Sequence, residues 1–352
     1  MSKTIKETLK RFLPAPARTF NKEMQEVKES LKQISARQAE LSAEIASERA
    51  KLEDVRREIV SVKDTAKQQA NLLKCNNDRI QNLQNGLQRT IPQPRLSYFV
   101  LNILDHCNLR CRGCDHFAAI AEKRFVALDD IVRDLKKMSE LTEAGVTRIG
   151  VMGGEPLLHP QLKGILTETR KYFPQTRIEL VSNGLLMNQQ DDSFWNTCRE
   201  NRICIVVTKY PLNLDFDKME KTAREQNVDF SYYGNTGEAI KTSYKMPLDP
   251  DGQQNPIENF WNCYHANHLP LLMEGKFYPC TVAPNVRHFN KKFGTDMQPE
   301  EGDYLDIHKL DNIYELYQFL ATPKPFCRYC KTKERSFGHP WGRSEQKKEE
   351  WL

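Results

Sequence analysis

The chain contains no stretch of eighteen consecutive apolar residues, so it offers no membrane-spanning helix. It also lacks a strong charge of either sign. Lys and Arg number 52 against 47 Asp and Glu, and a net +5 over 352 residues is too mild to imply a nucleic-acid partner. The basic start has no apolar signal-peptide core, because Pro14 and Pro16 interrupt it. Cysteine, in contrast, is not scarce. Ten in a secreted chain would suggest disulfides, but seven of them fall into two metal-like groups that need reduced thiols. A reducing cytoplasm is therefore expected.

The length accommodates two domains or more, and the composition changes along it. Residues 1–19 read as a basic tail, within which 2–13 pattern as a short amphipathic helix ended by the two prolines. From Phe20 to Leu87 apolar positions recur at alternating four- and three-residue spacing: sixteen of twenty seam positions are apolar, the exceptions being Gln38, Glu48, Gln69 and Asn76. Such a seam predicts a coiled coil over 20–92, hence a homo-oligomer or a helical partner. Gly86, Pro92 and Pro94 mark its end. Cys75 lies beside the seam as an ordinary thiol.

Beyond Arg95, short apolar runs alternate with amphipathic stretches. Strands are expected at Tyr98–Leu104, Arg148–Met152, Ile178–Ser182, Ile203–Thr208 and Val228–Tyr233, and helices near 128–143, 160–172, 191–200 and 215–227. This alternation reads as an α/β fold with a parallel sheet, whose ligands gather at the carboxyl ends of the strands.

Directly after the first run comes Cys107-Asn108-Leu109-Arg110-Cys111-Arg112-Gly113-Cys114, a C-x3-C-x2-C spacing on one short loop. Three thiolates suit an iron–sulfur cluster, one iron of which would stay open for chemistry. The competing reading is zinc, with His116 as the near fourth ligand. Gly153-Gly154-Glu155-Pro156 closes the second strand, and Ser182-Asn183 closes the third.

With these motifs the sequence, over roughly residues 96–340, resembles the radical S-adenosylmethionine superfamily. The resemblance implies a partial (β/α)6 barrel over 96–255. It implies a [4Fe–4S] cluster on Cys107, Cys111 and Cys114, with S-adenosylmethionine chelating the open iron. It further implies a 5′-deoxyadenosyl radical and a reductant such as flavodoxin or ferredoxin. The backbone of Gly153 and Gly154 would approach the methionine moiety, Glu155 would accept from its ammonium group, and Ser182 and Asn183 resemble contacts to ribose or carboxylate. Ser182 and Asn183 equally suit a strand-to-turn cap. Many members carry an aromatic residue where Gly113 stands, which leaves Phe117 to cover the adenine. Lys209, at the fourth strand's end, is a candidate for a carboxylate or phosphate.

Cys263, Cys280, Cys327 and Cys330 form a second group, with a hairpin around Gly275-Lys276 returning Cys280 towards Cys263. Four thiolates close a site, which makes it structural or an electron relay, and zinc has the same ligand set. After the radical motif this group looks like a SPASM or twitch extension, a small α+β domain over 256–352. With no cysteine after Cys330, it resembles the shorter twitch form with one auxiliary [4Fe–4S] cluster. The cysteine arrangement is similar to that of 2-deoxy-scyllo-inosamine dehydrogenases. Cys198 and Cys204 are expected to be core thiols.

The function so implied is abstraction of a carbon-bound hydrogen, with oxidation of a sugar or cyclitol alcohol and the auxiliary cluster as electron acceptor. Peptide maturation and radical sugar epimerisation are enzymatic alternatives, and a non-catalytic coiled-coil scaffold is the alternative of another class.

Overall fold

The computed structural model describes residues 15–90, 96–233 and 240–352, with only the backbone described at 15–19, 82, 85, 86 and 88–90. Residues 2–13, with their expected amphipathic helix, lie outside the described residues. The chain divides into two compact units, Met1–Ile80 and Gln81–Leu352.

Helix α1 runs unbroken over Ala15–Thr90, 76 residues, or on the order of 110 Å at the usual rise. It begins between Pro14 and Pro16 rather than after them. A proline in a first turn costs nothing, since that turn's N–H groups have no helical acceptor. Gly86 does not stop it: one glycine costs about 1 kcal/mol, too little to break a helix this long. The seam side chains are exposed along its length, Leu52 by 67% and Val62 by 68%. Around them run short-range ion pairs, Arg37–Glu40 at 2.9 Å and Lys51–Glu48 at 2.7 Å. Each is worth only a few tenths of a kcal/mol, about 0.2–0.5, so propensity and pairs alone leave a large apolar stripe in water.

In the second unit, β1 (Tyr98–Asn102), β2 (Arg148–Met152), β3 (Arg177–Ser182), β4 (Ile203–Val207) and β5 (Phe230–Tyr232) alternate with α2 (Leu128–Thr142), α3 (Leu162–Tyr172), α4 (Asp192–Glu200) and α5 (Phe216–Glu225). The five strands lie in parallel in chain order. Burial explains the pattern: β4 is buried at every residue, while α2 buries Ile131, Leu135 and Met138 along one face. Asp191 and Asp215 cap α4 and α5 by accepting from the amides of Phe194 and Lys218.

The chain then forms β6 (Ser243–Lys245), α6 (Pro256–Asn262), β7 (Leu271–Met273), β8 (Lys276–Tyr278), α7 (Val282–Phe293), β9 (Leu305–Asp306), α8 (Ile313–Ala321) and β10 (Ser336–His339). The sixth parallel strand is β7, and it adds beside β1 rather than beyond β5, giving the order β5-β4-β3-β2-β1-β7-β8-β9. One sheet thus continues across residue 255. The β7–β8 turn is Glu274-Gly275, both with positive φ, a backbone twist that matches tight hairpins; Lys276 is already in β8. β10 pairs with β6 in a separate antiparallel ribbon. Among the described residues no helix is long and apolar enough to cross a membrane.

Candidate iron–sulfur and cofactor site

The carboxyl ends of β1, β2 and β3 meet in one hydrogen-bonded cluster. The Gly154 amide donates to Leu104 O at 3.0 Å and the Glu155 amide to His106 O at 3.1 Å, so the β2 loop lies against the cysteine loop. A Cβ at Gly153 would stand 2.2 Å from Leu104 O, and one at Gly154 1.9 Å from His106 O. The close approach these glycines permit is therefore to the backbone that carries the cysteines.

Glu155 is buried and accepts from Ser182 Oγ at 2.8 Å, the Asn183 amide at 2.8 Å and the Leu157 amide at 3.2 Å. That uses three of roughly four acceptor positions on a carboxylate. Burial pushes its carboxyl up to about 7 against the pull of those donors. Asn183 Nδ2 donates to Asn108 Oδ1 at 2.8 Å and approaches Cys107 Sγ at 3.5 Å. The Gly184 and Leu185 amides donate back to Ser182 Oγ and Asn183 Oδ1, so both residues also cap their own turn.

The three loop cysteines are half-buried. Cys107 Sγ accepts from the Leu109 amide at 3.4 Å, and Cys111 Sγ accepts from Trp341 Nε1 at 3.2 Å. Burial pushes Cys107 up to about 11 and raises Cys111 and Cys114 as well. A metal binding here displaces protons from all three. No three sulfurs of this loop lie within 4.8 Å of one another among the described residues; the one close triple is Cys114, Asp115 and His116. A zinc ion, with Zn–S near 2.3 Å, would draw its sulfurs to about 3.8 Å apart. Among the described residues the set of three cysteines plus His116 is not assembled as a zinc site, while three thiols on one loop are a donor set that an iron–sulfur cluster accepts.

The C-terminal segment covers this loop, a feature the sequence reading missed. The Arg112 amide donates to Gly342 O at 2.9 Å, the Ser344 amide to Arg110 O at 2.8 Å, and Trp351 Nε1 to Cys114 O at 2.9 Å. Trp341 also packs, with rings tilted and centroids 5.4 Å apart, on Tyr210, which follows β4. Gly113 has φ +63, and a Cβ there would sit 3.2 Å from Glu350 O, so tail backbone occupies the space next to it. Phe117 does not face the mouth. It is buried at 5.9 Å from the Phe289 ring and 5.8 Å from Trp351, which corrects its expected place over an adenine. Lys209 lies 4.0 Å above the Tyr232 ring.

Cys263, Cys280, Cys327 and Cys330 line a single cavity with Met246, Phe260, Ala283, Phe326 and Lys324. Cys263 Sγ accepts from the amides of His265 at 3.3 Å and Ala266 at 3.4 Å. Asn259 Nδ2 donates to the carbonyls of Cys327 and Cys330 and pins the C-x2-C turn, while Thr332 Oγ1 donates to Asn259 Oδ1 at 2.6 Å. Burial, then the neighbouring thiols, raises Cys327 and Cys330, and burial pushes Cys280 up to about 12. Here too no three sulfurs lie within 4.8 Å of one another. Cys198 and Cys204 are buried.

One part-buried contact joins the groups. Thr281 Oγ1, next to Cys280, donates to Asp115 Oδ2, next to Cys114, at 2.9 Å. His265 Nδ1 stands 3.3 Å from the same carboxylate and His116 Nδ1 3.4 Å from its other oxygen. Burial raises the Asp115 carboxyl, but the His116 hydrogen bond, the two histidines' charges and the Thr281 hydroxyl together hold it below its usual range. Isolated Asp, His and Thr residues carry no sequence signal for such a bridge.

Residues 101–215 match the family model of the Radical SAM superfamily. The GTP 3′,8-cyclase of Trichodesmium erythraeum is 28% identical over 160 residues, 44% of this chain and 46% of its own. That of Peptoclostridium acidaminophilum is 33% identical over 99 residues, 27% and 29% of the two chains. The chain thus spans less than half the length of these curated relatives. Among solved structures, BtrN in complex with AdoMet and 2-DOIA is 17% identical, at TM-score 0.40 over 67% of this chain and 93% of that one.

Proposed function

We propose that this radical SAM enzyme, its family domain spanning residues 101–215, oxidises a sugar or cyclitol alcohol by abstracting a carbon-bound hydrogen. When bound, the four-iron cluster and S-adenosylmethionine supply the 5′-deoxyadenosyl radical that takes the hydrogen. The chain's own residues bind, shape and connect. Cys107, Cys111 and Cys114 hold the first cluster on one short loop after β1. Gly153, Gly154, Glu155, Ser182 and Asn183 form the cofactor wall, tied to Cys107 through Asn183. Cys263, Cys280, Cys327 and Cys330 hold an auxiliary [4Fe–4S] cluster that accepts the substrate electron.

The observation that carries this reading is the Thr281–Asp115 hydrogen bond. It ties the residue after Cys280 to the residue after Cys114, which supports a reading in which the two cysteine groups act together. A closed site next to a radical site is suited to moving electrons, because it has no free corner for substrate. Flavodoxin or ferredoxin is the reductant of the first cluster in this reading, and α1 is a coiled coil that associates with another helix.

Nucleotide cyclisation is a second reading, favoured by the relatives named GTP 3′,8-cyclase. Anaerobic incubation with S-adenosylmethionine, a reductant and panels of cyclitols, sugars and GTP separates the two by mass spectrometry. Loss of two hydrogens from an alcohol supports oxidation. A product of unchanged mass from GTP, with every alcohol untouched, replaces it with cyclisation.

A further inference from the structure

We infer that the occupant of the exposed α1 seam is another copy of this chain, aligned parallel and in register. The inference rests on the coiled-coil reading of α1 and adds the partner and its orientation. Seam residues such as Leu31, Leu41 and Ile59 are 43–61% exposed, so the stripe is uncovered along the helix. The alternating spacing fixes Met24, Leu31, Ile45, Leu52 and Ile59 as a positions, with Phe20, Val27, Ile34, Leu41, Val55 and Val62 as d positions.

Flanking charges then decide orientation. In a parallel pair, each g position faces the e position five residues on in the partner. Those pairs are Glu23–Lys28, Glu44–Arg49 and Glu58–Lys63, three of opposite charge, against one like pair, Lys51–Arg56. The like pair sits beside Glu48, the one acid in the seam, whose carboxylate already holds Lys51 Nζ at 2.7 Å. Antiparallel copies would set e against e, where every charged residue, Lys28, Arg49, Arg56 and Lys63, is basic. The g positions are mixed, Glu23, Glu44 and Glu58 with Arg37, Lys51 and Arg79, so it is the uniformly basic e positions, each matched to an acid or left facing Lys51 in the parallel pair, that favour parallel alignment.

The test is the native mass of the full-length protein by sedimentation across a concentration series at low salt. Three variants accompany the wild type: Glu23→Lys/Glu44→Lys/Glu58→Lys, Lys28→Glu/Arg49→Glu/Lys63→Glu, and all six together, each checked for helix by circular dichroism. The wild type is expected to associate, either triple variant to weaken association by about tenfold or more, and the six-fold variant to restore it. An oligomer whose affinity ignores both triples keeps the coiled coil and overturns the parallel self-pairing. A wild type that stays monomeric overturns self-pairing altogether. Failure of the six-fold variant to recover, with helix intact, also overturns the g–e pairing.

Discussion

The two cysteine groups make opposite use of the same ligand. The first gathers three thiols within eight residues of one loop, half-buried at the ends of the parallel strands, with donors from Asn183 and Trp341 reaching the sulfurs. The second draws four thiols, Cys263 buried and the others half-buried, from the end of α6, the segment after β8 and a 3₁₀ turn into one cavity. A contiguous loop supplies its ligands from one side only, and residues 341–351 lie against part of it, whereas ligands converging from distant segments surround their centre. Openness suits a site where cofactor and substrate must enter; closure suits one that only holds or passes electrons.

The sharpest way to break the contrast is to remove each group. Replacing Cys107, Cys111 and Cys114 by Ala should abolish 5′-deoxyadenosine formation and lower iron from about eight to about four per chain after anaerobic reconstitution. Cys327→Ala with Cys330→Ala should leave the first cluster and cofactor cleavage in place yet stop release of oxidised product. If that variant, folded by its melt, makes oxidised product at the normal rate, the electron-acceptor role is wrong. One zinc per chain with only about four irons would end the auxiliary-cluster assignment.

Smaller changes sharpen it. In Gly154→Ala the added methyl meets the His106 carbonyl, which belongs to backbone and cannot swing aside. The cost should be about 1–3 kcal/mol, read as a lower thermal midpoint together with reduced iron in the first cluster and normal iron in the second. Trp341→Phe removes the N–H that reaches Cys111 Sγ. Fewer hydrogen bonds to sulfur should make the first cluster harder to reduce, visible as a more negative potential in an EPR-monitored titration, with the second centre unmoved.

A further expected effect is a pH dependence. Burial raises Glu155 from 4.5 to about 7, so the folded state favours its protonated form. The stability this contributes is fully present below about 4.5 and is lost as pH rises through about 7. Glu155→Gln should flatten that part of the curve in chemical denaturation between pH 5 and pH 8. An unchanged slope would place Glu155 as ionised throughout.

Periodicity determined a good deal before any coordinates. Alternating strand and helix patterns located β1–β5 and α2–α5 within a few residues, because each burial face repeats along the chain at a fixed period. The heptad spacing located α1, and the eight-residue cysteine loop was legible as a candidate metal site because its thiols are neighbours in sequence. What periodicity cannot carry is partnership between distant segments. That β7 joins the sheet beside β1, that residues 341–351 cover the cysteine loop, and that Phe117 turns into the core beside Phe289 all depend on which surfaces meet in the folded chain. The Thr281–Asp115 bond joins residues 166 positions apart through a single hydroxyl. Such a contact has no period and no spacing, so only the tertiary structure could bring the open and the closed cysteine groups together.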